Sequence, residues 1–206
     1  MKRGWLCGWG VDTLAFASCC RRLLPDERVR VEPATWVGWE RLKDAGCDAY
    51  GGYSLGAWLL LRAAQRGEIA TADVWLCAPF VAFPEEAGLG GRVKRSQLGQ
   101  VRRWLRTDPG GALADFSRRA SLDLPLAAPA DISALDEGLA WLSSTELASS
   151  PGTTRCWRAV IGDNDALLSA ESVKDWPGAM IVPGAGHAFA PLLEAASGRR
   201  FAGGRP

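Results

Sequence analysis

A serine between two glycines is the residue pattern in this chain that most directly indicates chemistry. Gly52-Tyr53-Ser54-Leu55-Gly56 fits G-x-S-x-G, with a short apolar run before it and a helical pattern after it. In such a setting the serine lies on a sharp turn between a strand and a helix, and the glycines let neighbouring groups pack closely around it. The N-terminal end of the following helix favours negative charge beside the serine. The pattern predicts a nucleophilic serine, and the alternative is a plain Gly-rich turn.

A serine hydroxyl is a weak nucleophile at neutral pH and requires a base beside it. The chain contains a single histidine, His187, which follows the apolar run and Gly-rich turn IVPGAG. Where G-x-S-x-G joins a strand to a helix, the reacting residues follow one another in the order serine, acid, histidine, and His187 stands in the last place. We therefore predict His187 as the base. The alternative is a histidine at the surface or in the core, which for a lone histidine is ordinarily as common as a catalytic one.

The acid is expected at the end of a strand between the serine and the histidine. The segment AVIGDNDALLS supplies Asp163 and Asp165 directly after an apolar run. One carboxylate is needed to hold the imidazole in the right tautomer, and the other is then an ordinary loop cap. We predict Asp165 as the orienting acid, and Asp163 remains the alternative.

Two N–H donors are needed for the negative oxygen that forms when a serine attacks a carbonyl group. One is the backbone N–H of the residue after the serine, Leu55, and the other comes from the loop after an early strand. CGWG at Cys7–Gly10 is that loop. We predict that Trp9 supplies the second N–H and that its indole walls the site. The alternative is a core tryptophan, against which the two flanking glycines favour a turn.

Alternating strand and helix patterns must position these residues. Strands are predicted in GWLCGWG, RVRVEPATW, DAYGGYS, ADVWLCAPF, RCWRAVIGDND and GAMIVPGAGH. Helices are predicted in DTLAFASCCRRLL, RLKDAG, LGAWLLLRAAQRG, SAESVKDW (capped by Ser169) and AFAPLLEAASGRR. Repeated strand–helix units predict an α/β fold with a mainly parallel sheet covered on both faces.

A different region separates these units. From about Phe83 to Ser150 there is no convincing strand, and the helical patterns are SQLGQVRRWLR, GALADFSRR and DISALDEGLAWLSSTEL. We predict a core formed by residues 1–82 and 151–206, with residues 83–150 as a helical lid. Such an insertion lies at the carboxyl edge of a parallel sheet, where ligands of these sheets bind.

Composition excludes several classes of function. The chain has 206 residues, of which 24 are Lys or Arg and 23 are Asp or Glu. The net charge is therefore too small to attract the protein electrostatically to nucleic acid or to an anionic membrane. No apolar run is long enough to span a bilayer and no signal peptide is recognisable, so we expect a cytosolic protein. The six cysteines lack C-x-x-C spacing and are predicted to be buried thiols. No metal, nucleotide or other cofactor is predicted, and the oligomeric state is left open.

Several motifs together resemble a known family. GWG in the early loop, GYSLGAW at the serine, GDND and GAGHAFA near the C-terminal end, and LDEGLAWLSSTEL in the insertion are similar to the α/β-hydrolase esterases that cleave the methyl ester of pimeloyl-acyl carrier protein in biotin synthesis. The resemblance implies an α/β-hydrolase fold, a triad of Ser54, Asp165 and His187, and Trp9 and Leu55 as oxyanion donors. Two departures are Cys7, where the family usually has histidine, and the lack of leading strands, which implies a smaller sheet.

The resemblance also implies an acyl carrier protein as the partner that carries the substrate. The insertion supplies a basic cluster, from which we predict Arg95, Arg102 and Arg106 as contacts for an acidic carrier. The full cluster comprises Arg92, Lys94, Arg95, Arg102, Arg103 and Arg106. A solvated helical face is the alternative interpretation. Two other functions stay open, namely a generic small-ester esterase or thioesterase and a non-catalytic binding protein of the same fold.

Overall fold

The described part of the chain forms six parallel strands in one sheet, flanked by helices on both faces. The computed structural model describes residues 1–71, 73–128, 131–144, 147 and 157–198. The strands are β1 (Lys2–Leu6), β2 (Arg28–Glu32), β3 (Ala49–Tyr53), β4 (Val74–Cys77), β5 (Trp157–Gly162) and β6 (Ala179–Val182). The α-helices are α1 (Thr13–Leu23), α2 (Trp36–Asp44), α3 (Leu55–Gln65), α4 (Arg95–Leu105), α5 (Pro109–Ala120), α6 (Ile132–Ser144) and α7 (Phe189–Ser197). The predicted α/β fold with a parallel sheet is confirmed.

The strand order is β2-β1-β3-β4-β5-β6, so the chain changes direction across the sheet between β1 and β3. The central strands β3 and β4 are buried at every position because helices cover both faces. Helices α1 and α7 pack together on one face, and α2 and α3 pack together on the other. The loops that follow β1 and β3 diverge at this change of direction, where parallel sheets form their ligand crevice.

Several element boundaries differ from the sequence predictions, and two elements differ most. Helix α2 begins at Trp36, earlier than predicted, because the Thr35 side chain accepts a hydrogen bond from the Gly38 N–H at 2.9 Å and starts the helix there. The predicted helix SAESVKDW is wrong, because only Ala170–Ser172 form a single 3₁₀ turn. Hydrogen bonds in that segment span three residues, as in Trp176 N–H to Val173 C=O, and Pro177 prevents the segment from continuing as a helix.

Among the described residues between β4 and β5 lie three α-helices, α4, α5 and α6, in the region where the sequence predicts helices, and α4 packs against both of the others. Backbone hydrogen bonds join this insertion to the loop after β1: Asp12 N–H donates to Pro125 C=O at 3.0 Å, and Ala127 N–H donates to Gly10 C=O at 2.9 Å. The insertion therefore rests on the carboxyl edge of the sheet. The domain boundaries and the function of these helices as a lid stay predictions.

The cysteines are largely buried, as predicted. Cys7, Cys19, Cys20 and Cys77 are buried free thiols, Cys47 is half-buried, and Cys156 lies outside the described residues. Burial raises the pKa of the Cys7 thiol to about 12, so this thiol stays protonated at neutral pH. Within the described ranges, no group of three or more His, Cys, Asp or Glu side chains is arranged to hold a metal ion. Among those same residues, no helix is long and apolar enough to span a membrane.

Candidate active site

Ser54 stands at a sharp turn between β3 and α3. Its φ of 53° and ψ of −114° are rare for a residue with a side chain. The flanking glycines permit this turn: a Cβ at Gly52 would lie 2.6 Å from the Ala57 backbone, and a Cβ at Gly56 would lie 2.2 Å from the Leu6 carbonyl oxygen. Real Cβ atoms do not approach so closely, so only glycine fits at either position. The first turn of α3 is thereby pressed against the end of β1.

Ser54, His187 and Asp165 form a continuous chain of hydrogen bonds at this turn. His187 Nε2 lies 3.0 Å from Ser54 Oγ, and His187 Nδ1 lies 2.7 Å from Asp165 Oδ2. Because the carboxylate only accepts hydrogen bonds, Nδ1 carries the hydrogen and Nε2 is free to accept one from the serine hydroxyl. All three side chains are buried, and Asp165 is fully so. The geometry is compatible with a nucleophile, a base and an orienting acid, and these roles stay predictions.

The two candidate acids have different contacts. Asp165 Oδ1 accepts hydrogen bonds from the Leu167 N–H at 2.8 Å and the Leu168 N–H at 3.1 Å, which fixes the carboxylate toward His187. Asp163 is exposed, and its Oδ1 accepts a hydrogen bond from the Gly184 N–H at 2.7 Å. Asp165 therefore contacts the histidine, and Asp163 caps the neighbouring loop.

Two further side chains, Tyr53 and Arg92, hold the loops that carry these residues, and the sequence predictions assign this role to neither. The buried Tyr53 hydroxyl donates a hydrogen bond to the His187 carbonyl oxygen at 2.7 Å. Arg92 Nη1 donates to the Asp165 carbonyl oxygen at 2.6 Å, so this exposed arginine of the basic cluster binds the loop that carries Asp165. In the sequence, this role of Tyr53 is indicated only by its place next to the serine in the G-x-S-x-G motif.

The two residues predicted as oxyanion donors lie together. A Cβ at Gly138 of α6 would be 2.7 Å from Trp9 Cδ1 and 3.1 Å from Leu55 Cδ2, so both side chains contact the same glycine. Leu55 is the first residue of α3, and its N–H consequently has no partner within the helix. The backbone N–H of Trp9 makes no hydrogen bond with the described part of the chain. Their role as oxyanion donors stays a prediction.

The Trp9 side chain is more enclosed than predicted. It is 4% exposed, its Nε1 donates to the Leu135 carbonyl oxygen at 2.9 Å, and its ring packs edge-on against Phe116 with a centroid distance of 4.8 Å. The indole thus lies beneath α5 and α6. Ser54 is only 7% exposed, and the Leu55 side chain beside it packs against Gly138 of α6.

A groove of about 450 Å³ opens beside this covered site. Its walls are the loop after β1, the turn after β2 and the insertion around the start of α6. The lining comes from residues 7–11, 33–35, 37, 41, 127–128, 131, 133–135 and 137. Most of this lining is apolar, and Trp9 contributes to it, which places the groove next to the predicted oxyanion loop.

The three predicted partner contacts have different environments. Arg102 binds Asp136 of α6 through two hydrogen bonds of 2.6 Å each, and Arg106 lies 3.7 Å from the same carboxylate. Hydrogen bonding to Arg102 lowers the pKa of Asp136 below its usual value. The Arg95 side chain is exposed, and its backbone N–H donates to Glu86. Arg102 therefore joins α4 to α6, and the binding of a partner stays a prediction.

Solved structures share this arrangement of strands and helices. An esterase from Exiguobacterium antarcticum superposes with a TM-score of 0.72 at 16% identity, over 91% of this chain and 85% of that one. A thermophilic esterase from Thermogutta terrifontis has a TM-score of 0.62 at 20% identity, over 96% of this chain and 85% of that one. This chain has the α/β-hydrolase fold.

The α/β-hydrolase fold by itself does not identify the reaction. The bottromycin epimerase BotH shares it with a TM-score of 0.65 at 16% identity, over 96% of this chain and 88% of that one. No protein-family model matches the sequence, and no curated protein matches it. One fold can host many reactions, so the residues of the site decide which reaction is possible.

Proposed function

We propose that this protein is a serine carboxylic-ester hydrolase that acts through an acyl-enzyme on Ser54. The observation that carries the proposal is the buried hydrogen-bond chain from Ser54 through His187 to Asp165 at the turn between β3 and α3. A non-catalytic protein has no need of a serine in a strained backbone conformation with its hydroxyl on the only histidine. The esterases among the structural neighbours are consistent with this proposal.

In the first half of the reaction, Ser54 Oγ attacks the ester carbonyl carbon while His187 Nε2 accepts the hydroxyl proton. Asp165 stabilises the imidazolium that forms. The negative oxygen of the tetrahedral intermediate binds to the backbone N–H groups of Leu55 and Trp9. These donors are held in place by the fold and do not have to move during the reaction. The bond to the leaving oxygen then breaks, and His187 returns its proton to the alcohol, leaving an acyl group on Ser54.

In the second half, water takes the place of the alcohol. His187 Nε2 accepts a proton from the water as its oxygen attacks the acyl carbon. Collapse of the second tetrahedral intermediate breaks the bond to Ser54 Oγ, and the proton passes from His187 back to the serine. The products are one carboxylic acid and one alcohol, and the enzyme is regenerated without a cofactor.

Alanine variants of the base and the nucleophile test this proposal. Ser54→Ala and His187→Ala should each reduce the hydrolysis of p-nitrophenyl butyrate by several orders of magnitude, because the reacting residues act as a unit. Both variants should retain the circular dichroism spectrum of the wild type. A folded variant with near-normal turnover would refute the triad, and an inactive wild type across short and long esters would favour a binding protein.

A narrower substrate is part of the same proposal. We propose that the ester is the methyl ester of pimeloyl-acyl carrier protein, hydrolysed to the free acid and methanol. The sequence resemblance supports this substrate, and so does the exposed basic side of α4, which suits an acidic carrier. The apolar groove beside the oxyanion loop would accept an acyl chain. Restored biotin-independent growth in a host that lacks its own pimeloyl methyl esterase would support it directly.

Charge reversal on α4 separates this substrate from a small ester. Arg95→Glu with Arg106→Glu should raise KM for a carrier-bound methyl ester while leaving p-nitrophenyl butyrate hydrolysis nearly unchanged. Arg102 is left intact because it joins α4 to α6. The control is Arg21→Glu with Arg28→Glu, the same change in charge on exposed residues outside the insertion. Equal behaviour of the two double variants toward the carrier substrate would favour the generic small-ester hydrolase or thioesterase.

A further inference from the structure

The segment that joins α5 to α6 contacts two loops of the candidate active site at once. We define residues 123–127 as the strap. At one end, Leu126 forms an antiparallel bridge with Val11, and the neighbouring backbone hydrogen bonds link the strap to the predicted oxyanion loop. At the other end, the strap reaches the loop that carries His187. One short segment of the insertion is therefore bonded to both loops.

Asp123 makes the contact at the histidine end. Its Oδ1 accepts a hydrogen bond from the Phe189 N–H at 2.8 Å, and its Oδ2 accepts one from the Ala190 N–H at 2.9 Å. These are the first two residues of α7, whose N–H groups have no partner within the helix. The residue at the start of that helix, Ala188, cannot cap it with its side chain. Asp123 caps α7 from 66 positions away in the sequence.

His187 is therefore held from two sides. The Tyr53 hydroxyl binds its carbonyl oxygen from β3, and Asp123 binds the N–H groups two and three residues further along. Between these two anchors the backbone has little freedom to rotate. The position of the imidazole between Ser54 Oγ and Asp165 depends on this backbone.

We propose that Asp123 is a positioning residue for His187, through which the helical insertion controls the alignment of the catalytic base. This inference rests on the proposed ester hydrolysis and extends it to a residue that touches neither substrate nor the reacting atoms. Loss of the cap lets the start of α7 move away from the sheet edge. The imidazole then spends less time within hydrogen-bond distance of Ser54, so turnover falls while substrate binding does not.

The test compares two capping aspartates of the same insertion. Asp123→Ala should lower kcat for p-nitrophenyl butyrate by about 10–100-fold, the effect of a displacement on the order of 1 Å, with little change in KM. Asp123→Asn keeps a carbonyl oxygen that can accept one of the two bonds, and should recover part of the loss. Asp108→Ala is the control, because Asp108 caps α5 through the Gly111 N–H at 2.9 Å and does not contact the histidine loop. Its kcat should stay close to that of the wild type.

Urea unfolding of each variant separates positioning from stability. The proposal is overturned if Asp123→Ala and Asp108→Ala have equal kcat, or if Asp123→Ala loses activity only in proportion to its unfolded fraction. If Asp123→Ala does not fold, Asp123→Asn decides, since a folded variant with normal kcat would also overturn the proposal. A wild type that neither hydrolyses esters nor reacts with a fluorophosphonate would instead refute the proposed function, and the positioning role with it.

Discussion

Asp165 and Asp163 are two positions apart in the sequence, but their carboxylates have different surroundings and different hydrogen-bond partners. The Asp165 carboxylate is buried, accepts two backbone hydrogen bonds and a third from His187, and has no contact with solvent. Asp163 points to the surface and fixes the turn at Gly184. A single buried acceptor is sufficient to hold the histidine tautomer that can take the serine proton.

Replacement of each carboxylate by an amide tests this assignment. Asp165→Asn should lower kcat by roughly three to four orders of magnitude, because an amide can donate its N–H to Nδ1 and stabilise the wrong tautomer. Asp163→Asn should have a much smaller effect, since its oxygen still accepts from Gly184. The measurement is the kcat of both purified variants on one ester. The reverse ranking would transfer the orienting role to Asp163.

The structure brings together the three residues that the sequence singles out by local patterns, and their catalytic roles stay predictions. Ser54 lies in a five-residue motif, and His187 is the only histidine and follows in the expected chain order. The sequence ranked Asp165 above Asp163 by spacing alone, but their contacts depend on how the loop after β5 curls toward Gly184. Contacts such as Asp123 with α7 join segments far apart in the chain, and no local pattern records them.

At the scale of elements, close contacts between helices and strands set the shape of the site. Gly56 lies in the first turn of α3 against the end of β1, and Gly138 lies in α6 against Trp9 and Leu55. Gly99 lies in α4, and the nearest atom to a Cβ there would be the end of the Arg103 side chain at 3.8 Å. Close packing therefore requires glycine at Gly56 and Gly138 but not at Gly99.

Alanine substitution at two helical glycines should consequently have opposite effects. Gly56→Ala should destabilise the protein by about 1–3 kcal/mol or more, because the new methyl group overlaps the Leu6 carbonyl oxygen. Gly99→Ala should stabilise it by up to about 1 kcal/mol, because alanine loses less backbone entropy in a helix. Urea denaturation measures both. A neutral Gly56→Ala would contradict the close packing of α3 on β1.

The ion pair between α4 and α6 makes a prediction about pH. Because hydrogen bonding to Arg102 lowers the pKa of Asp136, the pair stabilises the fold above the ordinary aspartate pKa of about 3.9 and loses this contribution as pH falls through the lower folded value. Arg102→Gln should therefore reduce the unfolding free energy at about pH 7 by no more than about 1 kcal/mol, since the pair is partly exposed. That difference from the wild type should shrink below about pH 4.

Arg103→Gln serves as the control for this pair, because it removes the same charge from the neighbouring position of α4. Its unfolding free energy should follow the wild type at each pH. A deficit in Arg102→Gln that is constant down to about pH 3 would show that the arginine acts by packing rather than by pairing with Asp136.

At the scale of the whole molecule, the described residues form a six-stranded sheet whose carboxyl edge carries Ser54, and an inserted helical layer rests on that edge. The sequence predicted the alternation of strands and helices and the three inserted helices because each has a local periodicity. It did not predict the 3₁₀ turn at Ala170–Ser172, where buried Val173 and Trp176 imitate helical spacing. It also did not predict how the insertion is bonded to the sheet edge, since those contacts form only in the folded chain.

The proposed reaction depends on Ser54 being a nucleophile that His187 activates. The intact mass of the protein after reaction with a fluorophosphonate, followed by sequencing of the modified peptide, tests this directly. We expect one adduct on Ser54 in the wild type, no adduct in Ser54→Ala, and greatly slowed labelling in folded His187→Ala. A folded wild type that gains no adduct, or gains it at another residue, would contradict this role of Ser54.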